Sequence, residues 1–186
     1  MKRLYFVRHG ESFINIRDVF ATKVGGPNDL GLTENGKNHA LQGAAIARKN
    51  GLKVDRIICS PALRARETAT IIAGRIGFPP EKIICDDRFV ELQFGALEGT
   101  SWNAFWESGK TYRDLGEVED AETIEVLQER AELALAYLKT LTEDNILVVS
   151  HSAFGRALRR AVRHESCELE FQNKSPLPHG EILEFI

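Results

Sequence analysis

The chain has 186 residues, 43% of them hydrophobic and 27% charged, so one substantial core and one domain over residues 1–186 are expected. Its 24 basic and 27 acidic side chains give a net charge of -3, which excludes a whole-molecule attraction to nucleic acid or to an anionic membrane. No export signal follows Met1, and no apolar run approaches the roughly 20 residues of a membrane-spanning helix. The three widely spaced cysteines, Cys59, Cys85 and Cys167, are interpreted as buried, inert thiols of a cytoplasmic protein.

Short apolar runs that alternate with longer segments are predicted to be β-strands. They are bounded by polar or turn-forming residues, as strands of a buried sheet usually are. The predicted strands are Leu4 to Val7, Val54 to Cys59, Lys82 to Cys85, Ile146 to Ser150 and Glu181 to Ile186.

Helices are predicted between these strands. Ser60 and Pro61 mark the start of the second helix, because an N-cap hydroxyl accepts a backbone N–H and proline costs nothing in a first turn. In the third helix, apolar residues repeat at alternating four- and three-residue steps and form one stripe that faces a sheet. The predicted helices cover about 32–50, 60–77, 122–140 and the residues that follow 151.

The alternation of strands and helices favours an α/β three-layer sandwich, with a mostly parallel central sheet flanked by helices. In such sheets, ligands bind at the carboxyl ends of the strands. Arg8 and His9 follow the first strand, Arg64 follows the second and His151 follows the fourth. Residues 95–120 lack a clean period and exceed an ordinary connection in length, so they are predicted to form a lid-like excursion over this edge.

The polar residues at these strand ends suit a phosphate group. The planar guanidinium groups of Arg8 and Arg64 match phosphate oxygens, and Arg64 lies in the first turn of a helix, where the field is positive. Gly10 is expected to let the backbone approach an anion closely. Two histidines and two arginines at one sheet edge are hard to explain by packing alone.

Several motifs occur in a fixed order along the chain. They are Arg8-His9-Gly10, Leu32-Thr33-Glu34-Asn35-Gly36, Ser60-Pro61-Ala62-Leu63-Arg64-Ala65, Glu91-Leu92-Gln93-Phe94-Gly95-Ala96-Leu97-Glu98-Gly99 and Ser150-His151. Together they resemble the motifs of the histidine phosphatase superfamily, which includes cofactor-dependent phosphoglycerate mutases and many small phosphatases. The resemblance covers nearly the whole chain and implies the phosphoglycerate mutase-like fold.

The resemblance also implies roles for individual residues. His9 would be the nucleophile that forms a phosphohistidine, and Glu91 would protonate the leaving oxygen and then activate water. Glu122 aligns with a further acidic position of the family, and its role is left open between the site and a helix-terminal carboxylate. No cofactor and no metal are implied. The residues implied to surround the transferred phosphoryl group are Arg8, Asn15, Arg64 and His151. Ser152 stands where the family usually has glycine, and its backbone N–H is expected to serve the anion as well.

Two positions in the acidic motif favour hydrolysis over mutase-type transfer. Mutases of this family carry arginine and tyrosine where this chain has Leu92 and Phe94, and they have a longer stretch after Gly99. The expected function is therefore hydrolysis of a small phosphomonoester. Phosphoglycerate mutase-type transfer is the first alternative, and a non-catalytic module that binds phosphorylated ligands is the second.

Other sequence features leave the substrate open. The aromatic residues Trp102, Phe105, Trp106 and Tyr112 would either stack on a leaving group or form a local core. His39 is interpreted as a surface residue of the first helix. A small phosphorylated substrate is the expected partner, neither nucleic acid nor a membrane is expected, and the oligomeric state is undetermined.

Overall fold

The computed structural model describes residues 1–165 and 176–186, and a five-stranded sheet lies at its centre. The strands are β1 (Arg3–Arg8), β2 (Arg56–Cys59), β3 (Ile84–Cys85), β4 (Asn145–Ser150) and β5 (Ile182–Glu184). Their spatial order is β3-β2-β4-β1-β5, with β5 antiparallel to β1 and the other neighbours parallel. The predicted mostly parallel sheet is confirmed.

Threonine side chains begin two of the long helices that flank the sheet. The Thr33 hydroxyl accepts the Gly36 N–H at 2.9 Å, and the Thr123 hydroxyl accepts the Val126 N–H at 3.3 Å. Each hydroxyl thereby satisfies an N–H that the helix itself cannot use. The α-helices are α1 (Phe13–Arg17), α2 (Glu34–Lys49), α3 (Leu63–Ile76), α4 (Trp102–Glu107), α5 (Ile124–Thr140) and α6 (Ser152–Arg163).

The two faces of the sheet bury two separate apolar clusters. Leu4 and Phe6 of β1 pack with α5 and α6, whereas Tyr5 and Val7 pack with α2 and α3. This division follows from the strand period of two, which sends successive side chains to opposite faces. Because both faces are covered, β1 and β4 read as continuous apolar runs, and the predicted three-layer sandwich is confirmed.

Three local predictions differ from the structure. Helix α3 begins at Leu63 with Ala62 as N-cap, so the prediction that Ser60 caps this helix is wrong. Strand β3 has two residues and ends where the Asp86 side chain starts a 3₁₀ turn by accepting the Arg88 N–H at 2.9 Å. Helix α1 was not predicted, because its five residues are too few to show a helical period.

The segment 95–120 is partly helical and packs over one end of the sheet. Helix α4 lies between two 3₁₀ turns, Gly95–Leu97 and Tyr112–Glu117. The Asp18 carboxylate fastens the start of α4 by accepting the Ser101 hydroxyl at 2.5 Å and the Asn103 N–H at 2.9 Å. That this segment closes over a ligand stays a prediction.

The cysteines on β2 and β3 differ in exposure. The Sγ atoms of Cys59 and Cys85 are 3.5 Å apart. Burial raises the pKa of the Cys59 thiol, which fits an inert group. Cys85 is exposed, contrary to prediction, because β3 is an edge strand. Cys167 lies outside the described residues.

None of the helices in the described ranges combines the length and apolar character needed to cross a bilayer.

Candidate active site

The candidate site lies at the carboxyl ends of three neighbouring strands, β1, β2 and β4. The His9 N–H donates to the Ser150 carbonyl at 2.9 Å, and the Ser60 N–H donates to the Val149 carbonyl at 2.9 Å. The sheet ladder therefore continues into the site and fixes the backbone of the residues that carry its chemistry. His151 follows β4 directly and occupies the N-cap position of α6.

The imidazole of His9 is held in one tautomer. Its Nδ1 lies 2.7 Å from the Gly10 carbonyl oxygen, and because a carbonyl can only accept, Nδ1 carries the proton. The lone pair of Nε2 is then available and accepts the Nε–H of Arg64 at 3.3 Å. Burial, together with Arg64, His151 and Arg8, holds the pKa of His9 well below its usual range. His9 is therefore a neutral imidazole in a fixed orientation.

Gly10 has a packing role, and the close approach of its backbone to an anion stays a prediction. Its N–H donates to the Thr68 hydroxyl at 3.1 Å. A Cβ at Gly10 would overlap the Gly36 carbonyl, and a Cβ at Gly36 would overlap the Glu11 carbonyl. The two motif glycines therefore let α2 pack directly against the turn that carries His9.

His151 is fully buried behind His9, with the two ring centroids 5.1 Å apart. Its Nε2 lies 2.8 Å from the Ser60 hydroxyl oxygen, which also accepts the Ala62 N–H at 3.3 Å. Its Nδ1 has no hydrogen-bond partner among the described residues, although it is buried. Since a buried polar atom normally has a partner, Nδ1 is suited to contact a ligand. Burial, reinforced by Arg64 and Arg8, holds the pKa of His151 well below its usual range.

Arg64, which is buried, and Arg8, which is half-buried, both supply positive charge. Arg64 donates to the Ala21 carbonyl at 3.2 Å, and its Nη1 lies 3.9 Å from the Asp29 carboxylate. Arg8 donates to the Leu177 carbonyl at 2.8 Å, while its buried Nε has no partner within the described ranges. Burial lowers the pKa of Arg8 to about 10, so the group stays charged at neutral pH. Sequence reasoning missed Asp29, since nothing local indicates that it approaches Arg64.

The Glu91 carboxylate faces the start of α6. Its oxygens accept the N–H groups of Ala153 at 3.2 Å, Phe154 at 3.0 Å and Leu92 at 3.0 Å. A carboxylate in this position satisfies free N–H groups of the first turn and interacts favourably with the helix dipole. Glu91 is thus fixed between its own segment and the helix that follows His151.

A cavity of about 770 Å³ brings these groups together. Arg8, His9, Arg64 and Glu91 line it, and His151 lies buried beside it. Of the aromatic residues in the segment 95–120, Phe105 packs into the core and the others face the cavity. The apolar walls include Ile14, Phe20, Phe94, Trp102, Trp106, Tyr112 and Ile124.

Asn15 and Ser152 also line the cavity, and each has a local partner. The side-chain oxygen of Asn15 accepts the Ser12 N–H at 2.9 Å and the Ser12 hydroxyl at 2.8 Å, which stabilises the start of α1. Any contact of Asn15 with an anion therefore belongs to its NH₂ group. The Ser152 hydroxyl accepts the Leu177 N–H at 3.1 Å.

Glu122 does not line the cavity and faces Arg130 instead. Its carboxylate accepts two N–H groups of that guanidinium, each at 2.8 Å. The ion pair is largely buried, with 8% of the Glu122 side chain and 20% of the Arg130 side chain exposed. Of the two roles left open for Glu122, direct contact with the phosphoryl group is not supported.

His179 lies directly behind His9 and was missed by sequence reasoning. Its Nδ1 is 2.7 Å from the His9 carbonyl oxygen, and burial together with Arg8 lowers its pKa to about 4. His39 stacks on His179 at 5.8 Å between ring centroids and accepts the Glu11 N–H at 3.4 Å, so its interpretation as a plain surface residue is wrong. These contacts join residues too far apart in sequence for any local pattern to reveal them.

The described ranges contain no group of three or more His, Cys, Asp or Glu side chains arranged to hold a metal ion. The positive charge that faces the cavity is supplied by the arginines Arg8, Arg64, Arg113 and Arg156.

Comparison with known proteins identifies relatives that match most of the chain. The sequence model of the histidine phosphatase superfamily (branch 1) matches residues 4–181. A protein of Escherichia coli O1:K1 named "Probable phosphoglycerate mutase GpmB" is 32% identical over 159 residues, which are 81% of this chain and 70% of that protein. The agropine synthesis reductase of Rhizobium rhizogenes is 32% identical over 97% of this chain, which spans only 38% of that relative's length.

Solved structures show the same architecture. YhfR of Bacillus stearothermophilus has a TM-score of 0.80 at 24% identity, and the alignment covers 99% of this chain and 90% of that one. The phosphoserine phosphatase of Entamoeba histolytica, solved with 3-phosphoglyceric acid, has a TM-score of 0.77 at 25% identity, covering 99% and 90%. The match over residues 4–181 and the sheet order together lead to one conclusion: the chain belongs to branch 1 of the histidine phosphatase superfamily.

Proposed function

We propose that this protein is a phosphatase that hydrolyses a small phosphomonoester through a phosphohistidine intermediate on His9. The observation that carries the proposal is the state of this imidazole: it is neutral, its Nδ1 proton is bound to the Gly10 carbonyl, and its Nε2 faces a cavity lined by four arginines, Arg8 and Arg64 among them. Phosphoryl transfer depends mainly on positioning and on cationic donors for the transferred oxygens. Arg8, Arg64 and the Nδ1 of His151 would supply these donors.

In the first step, the Nε2 lone pair of His9 attacks phosphorus and the bond from phosphorus to the leaving oxygen breaks. Protonated Glu91 gives its proton to that oxygen, and the substrate leaves as an alcohol. In the second step, water gives a proton to the Glu91 carboxylate and attacks phosphorus. The bond between Nε2 and phosphorus then breaks, inorganic phosphate leaves and His9 is neutral again.

Two residues support water as the final acceptor. Leu92, at a position where the family's mutases carry arginine, is fully buried in the core. Phe94, where mutases carry tyrosine, packs on Phe20 at 4.3 Å between ring centroids and lines the cavity with an apolar ring. Neither side chain can hold a phosphoglycerate by charge or by a hydroxyl. Phosphoglycerate mutase activity remains the second candidate, because a relative with that name covers 81% of the chain.

The proposal is tested by a screen of small phosphomonoesters for released inorganic phosphate, alongside a coupled assay for conversion of 3- to 2-phosphoglycerate. We expect phosphate release from several esters and no sustained mutase turnover. Mutase turnover that exceeds phosphate release would overturn the hydrolase proposal. Tight binding of phosphorylated ligands without either reaction would support the binding module instead.

A further inference from the structure

Arg130 of α5 makes an unusually complete set of contacts next to Glu91. Its Nε and Nη2 donate to the two carboxylate oxygens of Glu122, each at 2.8 Å. Its Nη1 donates to the carbonyls of Arg88 at 3.0 Å and Val90 at 2.9 Å, and its Nη2 also donates to the carbonyl of Glu91 at 3.2 Å. One guanidinium therefore binds three carbonyl groups immediately before and at the proposed acid.

Glu122 holds the same segment on the other side of Glu91. Its carboxylate accepts the Gln93 N–H at 3.2 Å, and its own N–H donates to the Gln93 carbonyl at 2.8 Å. Residues 90–94 belong to no helix or named strand, so the sheet ladder does not fix their backbone. The pair of Arg130 and Glu122 supplies the hydrogen bonds that regular secondary structure would otherwise provide.

Arg130 also contacts the residue that faces the Glu91 side chain. Its guanidinium carbon lies 5.2 Å from the ring centroid of Phe154, a distance at which cation and ring attract. The N–H of Phe154 is one of the donors to the Glu91 carboxylate, at 3.0 Å. Arg130 thus contacts both the backbone of Glu91 and the first turn of α6, whose N–H groups donate to the Glu91 carboxylate.

We infer that Arg130, with Glu122 as its counterion, is a positioning residue for proton transfer by Glu91. The inference rests on the proposed function, in which Glu91 protonates the leaving oxygen. Arg130 does not line the cavity, so it acts through Glu91 and makes no contact with substrate. Lysine is expected to fail at this position, because a point charge cannot reproduce the planar fork that serves five acceptors.

The chemistry predicts a selective defect. Misplacement of a reacting group by about 1 Å can cost on the order of 100-fold in rate. Here only the proton-transfer group is displaced, whereas His9, Arg8 and Arg64 are held by strand ends and α3. The loss should therefore be large for alkyl phosphates, whose alkoxide must be protonated, and small for p-nitrophenyl phosphate, whose leaving group departs as an anion.

The test compares Arg130→Lys and Glu122→Gln with the unmodified protein. The value of kcat/KM is measured with p-nitrophenyl phosphate and with glycerol phosphate. Arg56→Lys is the matched control, because Arg56 pairs with Glu143 at the opposite end of β2 and does not touch residues 88–93. We expect Arg130→Lys to lower kcat/KM about 10- to 100-fold more for glycerol phosphate than for the aryl ester, and Arg56→Lys to show no such difference.

A double variant separates the positioning role of Arg130 from the role of Glu91 in the proposed function. If Arg130 acts through Glu91, adding Arg130→Lys to Glu91→Gln should cost little further activity on glycerol phosphate, because residues of one unit are non-additive. An equal loss on both substrates for Arg130→Lys would overturn the inference and leave a purely structural ion pair. If Glu91→Gln itself shows no dependence on the leaving group, the failure belongs to the proposed function.

Discussion

The end of the cavity proposed to bind the phosphoryl group and the end proposed to transfer the proton are held in different ways. His9, Ser60 and His151 follow strands β1, β2 and β4, and ladder hydrogen bonds at 2.9 Å continue into the first two of them. Glu91 lies in an irregular segment that is fixed by the side chains of Arg130 and Glu122. Backbone hydrogen bonds therefore fix the proposed nucleophile, whereas a buried ion pair fixes the proposed acid. Substitutions should affect the two ends with different dependence on the substrate.

The largest effect is expected at the nucleophile. His9→Ala removes the only group that the proposal uses to accept phosphorus, so phosphate release should fall by a factor on the order of 10⁴ or more for every ester. Release of inorganic phosphate measures this loss, and an unchanged circular dichroism spectrum shows that the variant is folded. His164→Asn, at the exposed C-cap of α6, is the control, and it should retain activity. Comparable turnover by His9→Ala would contradict the assignment.

The acid is expected to show the second-largest effect, and a selective one. Glu91→Gln removes the transferable proton, so glycerol phosphate should lose roughly 100- to 1,000-fold in kcat/KM, and p-nitrophenyl phosphate much less. Glu119→Gln, an exposed change, serves as the control. Equal losses on the two esters would remove the distinction between the two ends of the cavity.

A smaller and uniform effect is expected at Ser60. Ser60→Ala removes the hydroxyl that lies 2.8 Å from the buried Nε2 of His151. Leaving this buried polar atom without a partner costs about 1 to 2 kcal/mol of free energy. We expect kcat/KM to fall roughly 10-fold for aryl and alkyl esters alike, because the phosphoryl end serves both. Thr70→Ala on the exposed side of α3 is the control. A loss of kcat/KM confined to alkyl esters would mean that Ser60 supports proton transfer by Glu91 and not binding of the phosphoryl group.

The smallest effect on activity is expected at His179, where pH dependence of stability is the better readout. The lowered pKa, about 4 against an ordinary 6.5, means that the unfolded chain binds the proton more tightly. The free energy of unfolding should therefore fall as the pH drops through 6.5, by roughly 2 kcal/mol between pH 7.5 and pH 5. Urea unfolding at pH 7.5 and 5 measures this, and His179→Gln should lose less stability between the two. If His179→Gln loses as much stability between the two pH values as the unmodified protein does, the burial assigned to His179 is contradicted.

Sequence patterns predicted the elements that are decided locally. The strands β1 and β4 are continuous apolar runs because both faces are covered, and α5 shows its stripe because one side packs on the sheet. The position of His9 after β1 and of His151 after β4 followed from these elements. Helix α1 is too short to show a period and was not predicted, whereas the strand predicted over Lys82 to Cys85 is present but shorter, at Ile84–Cys85.

Contacts between distant segments could not be predicted. Ser60 precedes a proline and looks like a helix cap, yet its hydroxyl lies against His151, which is 91 positions away. Arg130 resembles any charged residue on the polar side of a helix, and only the folded chain brings it to Glu91. His179 and Asp29 are further cases. Such contacts depend on the path of the chain, which local propensity does not contain.

The central claim is that His9 receives the phosphoryl group, and mass spectrometry of the protein quenched during turnover tests it most directly. Glu91→Gln incubated with p-nitrophenyl phosphate should accumulate the intermediate, because formation needs little acid help while hydrolysis lacks its base. The account predicts an acid-labile phosphoryl group on the peptide that contains His9, absent from His9→Ala. Turnover with no phosphorylated peptide at any time point, or a phosphoryl group on another residue, would contradict it.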